Sequence, residues 1–189
     1  MDETWLYHYD PETKQQSTKW RHNGSTLPQK FRVQNSTGKV LASIFWDQDG
    51  ILLIDYLPKA QTINAQYYSP VLVQLKGILK EKRRGKFIKG VLFLHDNAPS
   101  HRAHATQKKL AYLGFQCLDH TPYFTDLSRR STISSLDWKK QMTVRHFSSE
   151  PEIIAAAEIW LNIQPSEFFL SGLQKLEQRA KKFIKLHGE

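Results

Sequence analysis

Cysteine is nearly absent: Cys117 is the only one in 189 residues, and methionine occurs twice. A single thiol can form no internal disulfide, and a metal cluster built on cysteine is excluded. Its place in the apolar run 115–118 reads as a buried structural thiol rather than a nucleophile. Also missing is any apolar run near the roughly 20 residues needed to span a bilayer, which argues against a membrane protein. The opening Met1-Asp2-Glu3-Thr4-Trp5 lacks the basic-then-apolar order of a secretion signal, so an intracellular protein is expected. No internal repeat or low-complexity tract is found. Acidic residues are the scarcer charge, 18 against 27 Lys plus Arg, and the net charge of +9 favours polyanionic partners such as nucleic acid.

What is present suits a globular chain: 40% hydrophobic residues and 12% aromatics, in a length that buries one good core. One compact domain is expected. Residues 4–10 are rich in β-favouring aromatics and end at Pro11, a strand. Residues 11–38 form a long polar loop with Gly24, Pro28 and Gly38 as punctuation. Loops of that length are uncommon without a task, and this one reads either as an insertion or as an arm on DNA or a second subunit.

Residues 40–46 alternate in the strand manner, and 51–56 follow after Asp49-Gly50, whose glycine supplies the positive φ of a tight hairpin. Apolar residues at 67, 68, 71, 72, 75, 78 and 79 predict a helix over 64–84. The cations that crowd its end suit the helix dipole or DNA, and the dipole is the plainer account. Residues 91–95 predict a central strand, 102–113 a helix stopped by Gly114, and 115–118 a further strand. A weak helix is expected over 128–144. Ser149-Glu150-Pro151-Glu152 has the spacing of a capping box at the start of a helix. A last helix begins at Ser166, with Phe169, Leu170, Leu173 and Leu176 on its buried stripe and Lys175 and Lys181 outward. The order predicts an α/β fold with a mixed central sheet and helices on its faces, where ligands gather at strand ends.

One strand-end stretch stands out: His95-Asp96-Asn97-Ala98-Pro99-Ser100-His101. Asp2-Glu3-Thr4-Trp5 with Tyr9-Asp10-Pro11, Phe45-Trp46-Asp47 with Gly50, Pro122-Tyr123 with Asp126-Leu127, and Phe147-Ser148-Ser149 accompany it in order. Together these segments resemble the catalytic domain of mariner-type DNA transposases, cut-and-paste enzymes of ribonuclease H-like fold, over essentially the whole chain. The resemblance implies a long loop insertion after the first strand, with residues 11–38 as a clamp-type loop through which a homodimer forms. It also implies that the chain starts at the first acid, without the family's helix-turn-helix modules.

The family's chemistry needs three carboxylates to hold two divalent ions, Mg2+ or Mn2+, which activate the attacking oxygen and stabilise the leaving one. By resemblance, Asp2 and Asp96 are the first two acids and metal ligands. The third follows thirty-four intervening residues, and counting through 97–130 puts Ser131 there. A neutral serine removes one negative charge where two cations must sit. Asp126 lies before that segment and Asp137 about 120° around a helix, so neither replaces it. A related lineage, the transposase fused to a histone methyltransferase, has Asn at the third position.

DNA contacts are expected from Trp20, Lys30, Arg32, His101, Arg102, Arg129 and Arg130, with His95 and His101 read as structural or DNA-facing rather than metal ligands. The expectation is therefore a transposase-derived domain in the nucleus that binds DNA, takes no small-molecule cofactor and has impaired cleavage. The alternatives are a non-enzymatic DNA-binding or dimerisation module, or a transposon relic.

Overall fold

The computed structural model describes residues 1–8, 38–59, 61–85, 90–96, 98–118 and 147–187. Strand β1 (Asp2–Tyr7) pairs antiparallel with β2 (Lys39–Asp47), and β2 pairs antiparallel with β3 (Gly50–Tyr56), in the order β1-β2-β3. The first strand thus starts two residues before the sequence placed it. β4 (Val91–Phe93) and β5 (Phe115–Cys117) form a parallel pair. The two sheets meet where the Met1 nitrogen donates to Leu94 O at 3.0 Å.

Alternation along β2 decides what each face packs. Phe45 joins a core with Tyr68, Leu72 and Leu75 of α1 (Ala65–Lys82) and Leu110 of α3 (His104–Leu113). Val40, Ala42 and Ile44 point the other way, to Ile153, Ala157 and Leu161 of α4 (Glu150–Ile163). A bulge beside Phe45 and Trp46 shifts the register of β3. Leu52 and Leu53 consequently share the α1 face, while Ile51 and Ile54 pack on the α4 face. The helices lie on both faces, as the sequence implied. Leu72 and Leu110 are completely buried, so truncating either leaves a cavity that the packed surroundings fill only in part.

The hairpin closes differently from its sequence reading. Asp47 pairs with Gly50, so the turn residues are Gln48 and Asp49, and Gly50 carries its positive φ of 138° at the start of β3. The Asp49 N–H bonds the Asp47 carboxylate at 2.9 Å, closing the turn locally. Arg83, which caps α1 by donating its N–H to Leu79 O, also reaches this turn. Its Nε lies 2.9 Å from Asp47 and 3.3 Å from Asp49. The basic end of α1 is in this respect a tie to the hairpin.

The helix expected over 102–113 is α3, starting two residues later, and a separate short helix, α2 (Pro99–Arg102), precedes it with a break at extended Ala103. The Thr106 hydroxyl donates to Ser100 O at 2.7 Å and the Gln107 amide to His101 O at 2.8 Å, so side chains from α3 satisfy the carbonyls that α2 leaves open. Gly114 ends α3 in the left-handed conformation at φ 82°, as predicted.

Ser149 does cap α4, but its hydroxyl makes no capping bond; Glu152 accepts from the Ser148 N–H and hydroxyl at 2.8 and 2.7 Å. On α5 (Ser166–His187), Phe169 is buried against Trp46 but Leu170 is 42% exposed, so the buried stripe is narrower than its spacing implied. Cys117 is half-buried and packs against the α1-side core. The weak helix expected over 128–144 lies outside the described residues.

Candidate functional site

Asp96 follows β4 at the end where that strand meets β1. Phe93 O accepts from the Leu118 N–H at 3.0 Å and Leu94 O from Met1, so both neighbouring strands hold the chain that delivers Asp96. Position 2 stands next to Met1 in β1, which brings the backbones of the first two expected acids to one end of the sheet. The side chain of Asp2 lies outside what the structure describes.

The side chain of Asp96 is fixed by two contacts to a single oxygen. Its Oδ1 lies 2.7 Å from His101 Nδ1 and accepts the Ala98 N–H at 3.0 Å. Pro99 starts α2 directly after that turn, and the short helix carries His101 back beneath the carboxylate. The other ring nitrogen, Nε2, lies 3.1 Å from Glu3 Oε1. One imidazole therefore joins β1 to the chain leaving β4, across 98 positions of sequence.

His101 is fully buried, whereas the side chains of Glu3 and Asp96 are 19% and 49% exposed. Its ring lies tilted against that of Tyr68, centroids 4.7 Å apart, and meets His95 edge-on at 5.0 Å. Both ring nitrogens face carboxylates, which only accept, so the ring that satisfies both is the imidazolium. Burial works to lower the His101 pKa, but hydrogen bonds to Asp96 and Glu3, with their charges, outweigh it and lift it from 6.5 to about 9. Asp96 moves the opposite way. The bond from His101 holds its carboxyl below the usual range against the effect of burial, and the Ala98 N–H adds to that. Burial, with Glu3 and Asp96 nearby, pushes the Tyr68 phenol far up, so it stays neutral and donates to Met1 Sδ at 3.3 Å.

The expectation that His101 contacts DNA is corrected by this placement: its ring is enclosed and spends both nitrogens on carboxylates. Arg102, the next residue, is exposed at the end of α2. Trp20, Lys30, Arg32, Arg129, Arg130 and Ser131 lie outside the described residues, as does the 11–38 loop except for Gly38. Among the described residues no group of three His, Cys, Asp or Glu side chains could hold a metal ion. Asp96 by itself suits a hard divalent ion in its chemistry. It is an ionised carboxylate at the surface with Oδ1 tied down, which leaves Oδ2 as the oxygen to offer.

Sequence reasoning missed Glu3. The available signal was strand alternation, which puts residue 3 on the opposite face from residues 2 and 4. Nothing in the spacing paired it with a histidine so far along the chain.

Residues 10–89 match the family model described as transposase (partial DDE domain). The mariner Mos1 transposase of Drosophila mauritiana is 27% identical over all of this chain and 54% of its own length. The solved catalytic domain of Mos1 transposase, with raltegravir and magnesium, is 30% identical, with a TM-score of 0.71 over 80% of this chain and 76% of that one. The chain belongs to the mariner transposase catalytic-domain family. Its fold is accordingly the ribonuclease H-like fold of that domain, with mixed strands and helices on both faces.

A Mos1 mariner paired-end complex with manganese gives a TM-score of 0.84 at 28% identity, covering this whole chain and 54% of that one. The human histone-lysine N-methyltransferase SETMAR is 24% identical over 99% of this chain and 27% of its own length. The chain thus spans about half of Mos1 transposase and about a quarter of SETMAR. Within the mariner family, divalent metal and transposon-end DNA are found with Mos1.

Proposed function

We propose that this chain is a mariner transposase-derived domain that associates with DNA and carries a weakened divalent-metal site, with strand cleavage impaired by Ser131 at the third acidic position. The observation that carries this reading is the serine itself, separated from Asp96 by thirty-four intervening residues, where the charge of a carboxylate is needed. Asp2 and Asp96 would hold Mg2+ or Mn2+, and bound metal would supply an activated nucleophile and a stabilised leaving oxygen. The chain's own share is structural. It presents Asp96 as an ionised, oriented carboxylate and brings position 2 to the same end of the sheet.

The polyanionic partner is DNA, favoured by the net charge of +9 and by the transposon ends found with Mos1. Arg102 is an exposed contact beside the site, with Trp20, Lys30, Arg32, Arg129 and Arg130 as further contacts. Residues 1–189 act as one catalytic unit, residues 11–38 clamp a second copy, and the place of action is the nucleus. No helix among the described residues is long and apolar enough to cross a membrane.

Nicking of supercoiled DNA in magnesium or manganese tests the reading. The parent protein should nick feebly, Ser131→Asp should raise the rate by at least about tenfold, and Asp96→Ala should abolish it, because a bound divalent ion supplies several kcal/mol of transition-state stabilisation. Robust nicking by the parent, lost in Asp96→Ala, would refute the impairment.

A further inference from the structure

We propose that His101 is a positioning residue for Asp96, holding Oδ1 through Nδ1 so that Oδ2 faces a divalent ion, while Glu3 fixes the ring from behind through Nε2. The proposal rests on the reading of Asp96 as a metal ligand.

Three observations carry it. The ring is fully buried, so it cannot swing between solvent-facing rotamers, and the tilted Tyr68 ring packs beside it with centroids 4.7 Å apart. Its two nitrogens are spent on two carboxylates, Glu3 of β1 and Asp96 from the chain beyond β4, at 3.1 and 2.7 Å. Both fixed contacts of Asp96 fall on the same oxygen, the arrangement that leaves one defined oxygen outward. Glu3 fixes which way the ring faces: with Nε2 held by its carboxylate at 3.1 Å, Nδ1 is directed at Asp96.

The nitrogen of an Asn side chain can stand in for Nδ1 of histidine, and that of Gln for Nε2. His101→Asn therefore keeps the donor to Asp96 and loses the one to Glu3; His101→Gln does the reverse. Manganese binding is measured by calorimetry on the whole chain in the Ser131→Asp background, with circular dichroism to establish that each variant is folded. Partners of a ligand typically contribute 10–100-fold in metal affinity. The expected result is binding within about threefold of the parent for His101→Asn and at least about tenfold weaker for His101→Gln.

Equal binding by the two variants, strong or weak, overturns the positioning role, because a merely structural histidine makes no distinction between its two nitrogens. If the parent binds no manganese, the metal reading of Asp96 falls and the proposal falls with it, an outcome distinct from variants that fail to discriminate. Should both substitutions unfold the protein, Glu3→Ala serves instead, since it removes the acceptor that fixes the ring through Nε2 and leaves His101 itself unchanged. It should weaken manganese binding about threefold or more, and unchanged affinity overturns the proposal.

Discussion

The buried imidazolium makes the stability of the metal-free protein depend on pH in a defined direction. His101 titrates at about 9 in the folded chain against 6.5 when exposed. The folded state therefore binds a proton that the unfolded state has lost, and stability falls as pH rises. The contribution is complete below about pH 6.5, declines by at most about 1.4 kcal/mol per pH unit above it, and is gone above about pH 9. The full interval corresponds to about 3 kcal/mol. Solvent around the half-exposed Asp96 screens part of this, so about 2 kcal/mol is the working value.

The groups facing the ring are Glu3 from β1, Asp96 and His95 from the chain after β4, and Tyr68 from α1. Tyr68 stays neutral throughout this window, because burial pushes its pKa far above it. Thermal melts in a chelating buffer between about pH 6.5 and 9.5 should show the midpoint fall by roughly 4–8 °C, at about 2–4 °C per kcal/mol for a chain of this size. His101→Asn, with no proton to lose, should be less stable at the acid end and should remove most of that slope. A parent profile that is flat, or one whose slope survives in His101→Asn, would refute the argument.

Two further outcomes test the frame around the site. Arg83→Ala removes a guanidinium that reaches Asp47 and Asp49 from the end of α1; chemical denaturation should show a loss of about 1–2 kcal/mol, and a change under about 0.3 kcal/mol would mean the hairpin is not held by that tie. Binding to duplex DNA, followed by gel shift, should weaken linearly on a logarithmic salt scale, and Arg102→Ala should reduce the slope by about one. Salt-independent binding, or none at low salt, would count against phosphate contact.

Much of this architecture could be read from local pattern because local physics dictates it. Alternation assigned the two faces of β2, and the 3.6-residue stripe located Tyr68, Leu72, Leu75 and Leu79 on α1. The break between α2 and α3 could not be read that way. Both helices follow an alanine N-cap that offers no side-chain bond, and the open carbonyls at the end of α2 are met by Thr106 and Gln107, inside the next helix. Leu170 misled for a related reason, since helical spacing gives the phase of a stripe but not the width of the surface that receives it. Asp96 was found through its motif and its strand end. What holds it was hidden, because Glu3 and His101 meet only after two sheets have been set edge to edge.

That hidden part bears on what the loss at position 131 means. The described contacts to Asp96 come from the Ala98 N–H and from His101 of α2, whose ring Glu3 of β1 holds from the other side. A carboxylate whose geometry depended on the third acid would relax once that acid was lost, and restoring it would then restore nothing. The bonds from His101 and Ala98 hold Oδ1 without metal. On the proposed reading, the serine at 131 subtracts a charge and a ligand from a site in which His101 and Ala98 still hold Asp96. On this reasoning Ser131→Asp tests the chemistry rather than the scaffold. A gain of manganese affinity in that variant, with an unchanged melting profile in chelator, separates a missing ligand from general decay of the fold; no gain, or a melting profile altered by the substitution, would show that the damage at 131 reaches the scaffold itself.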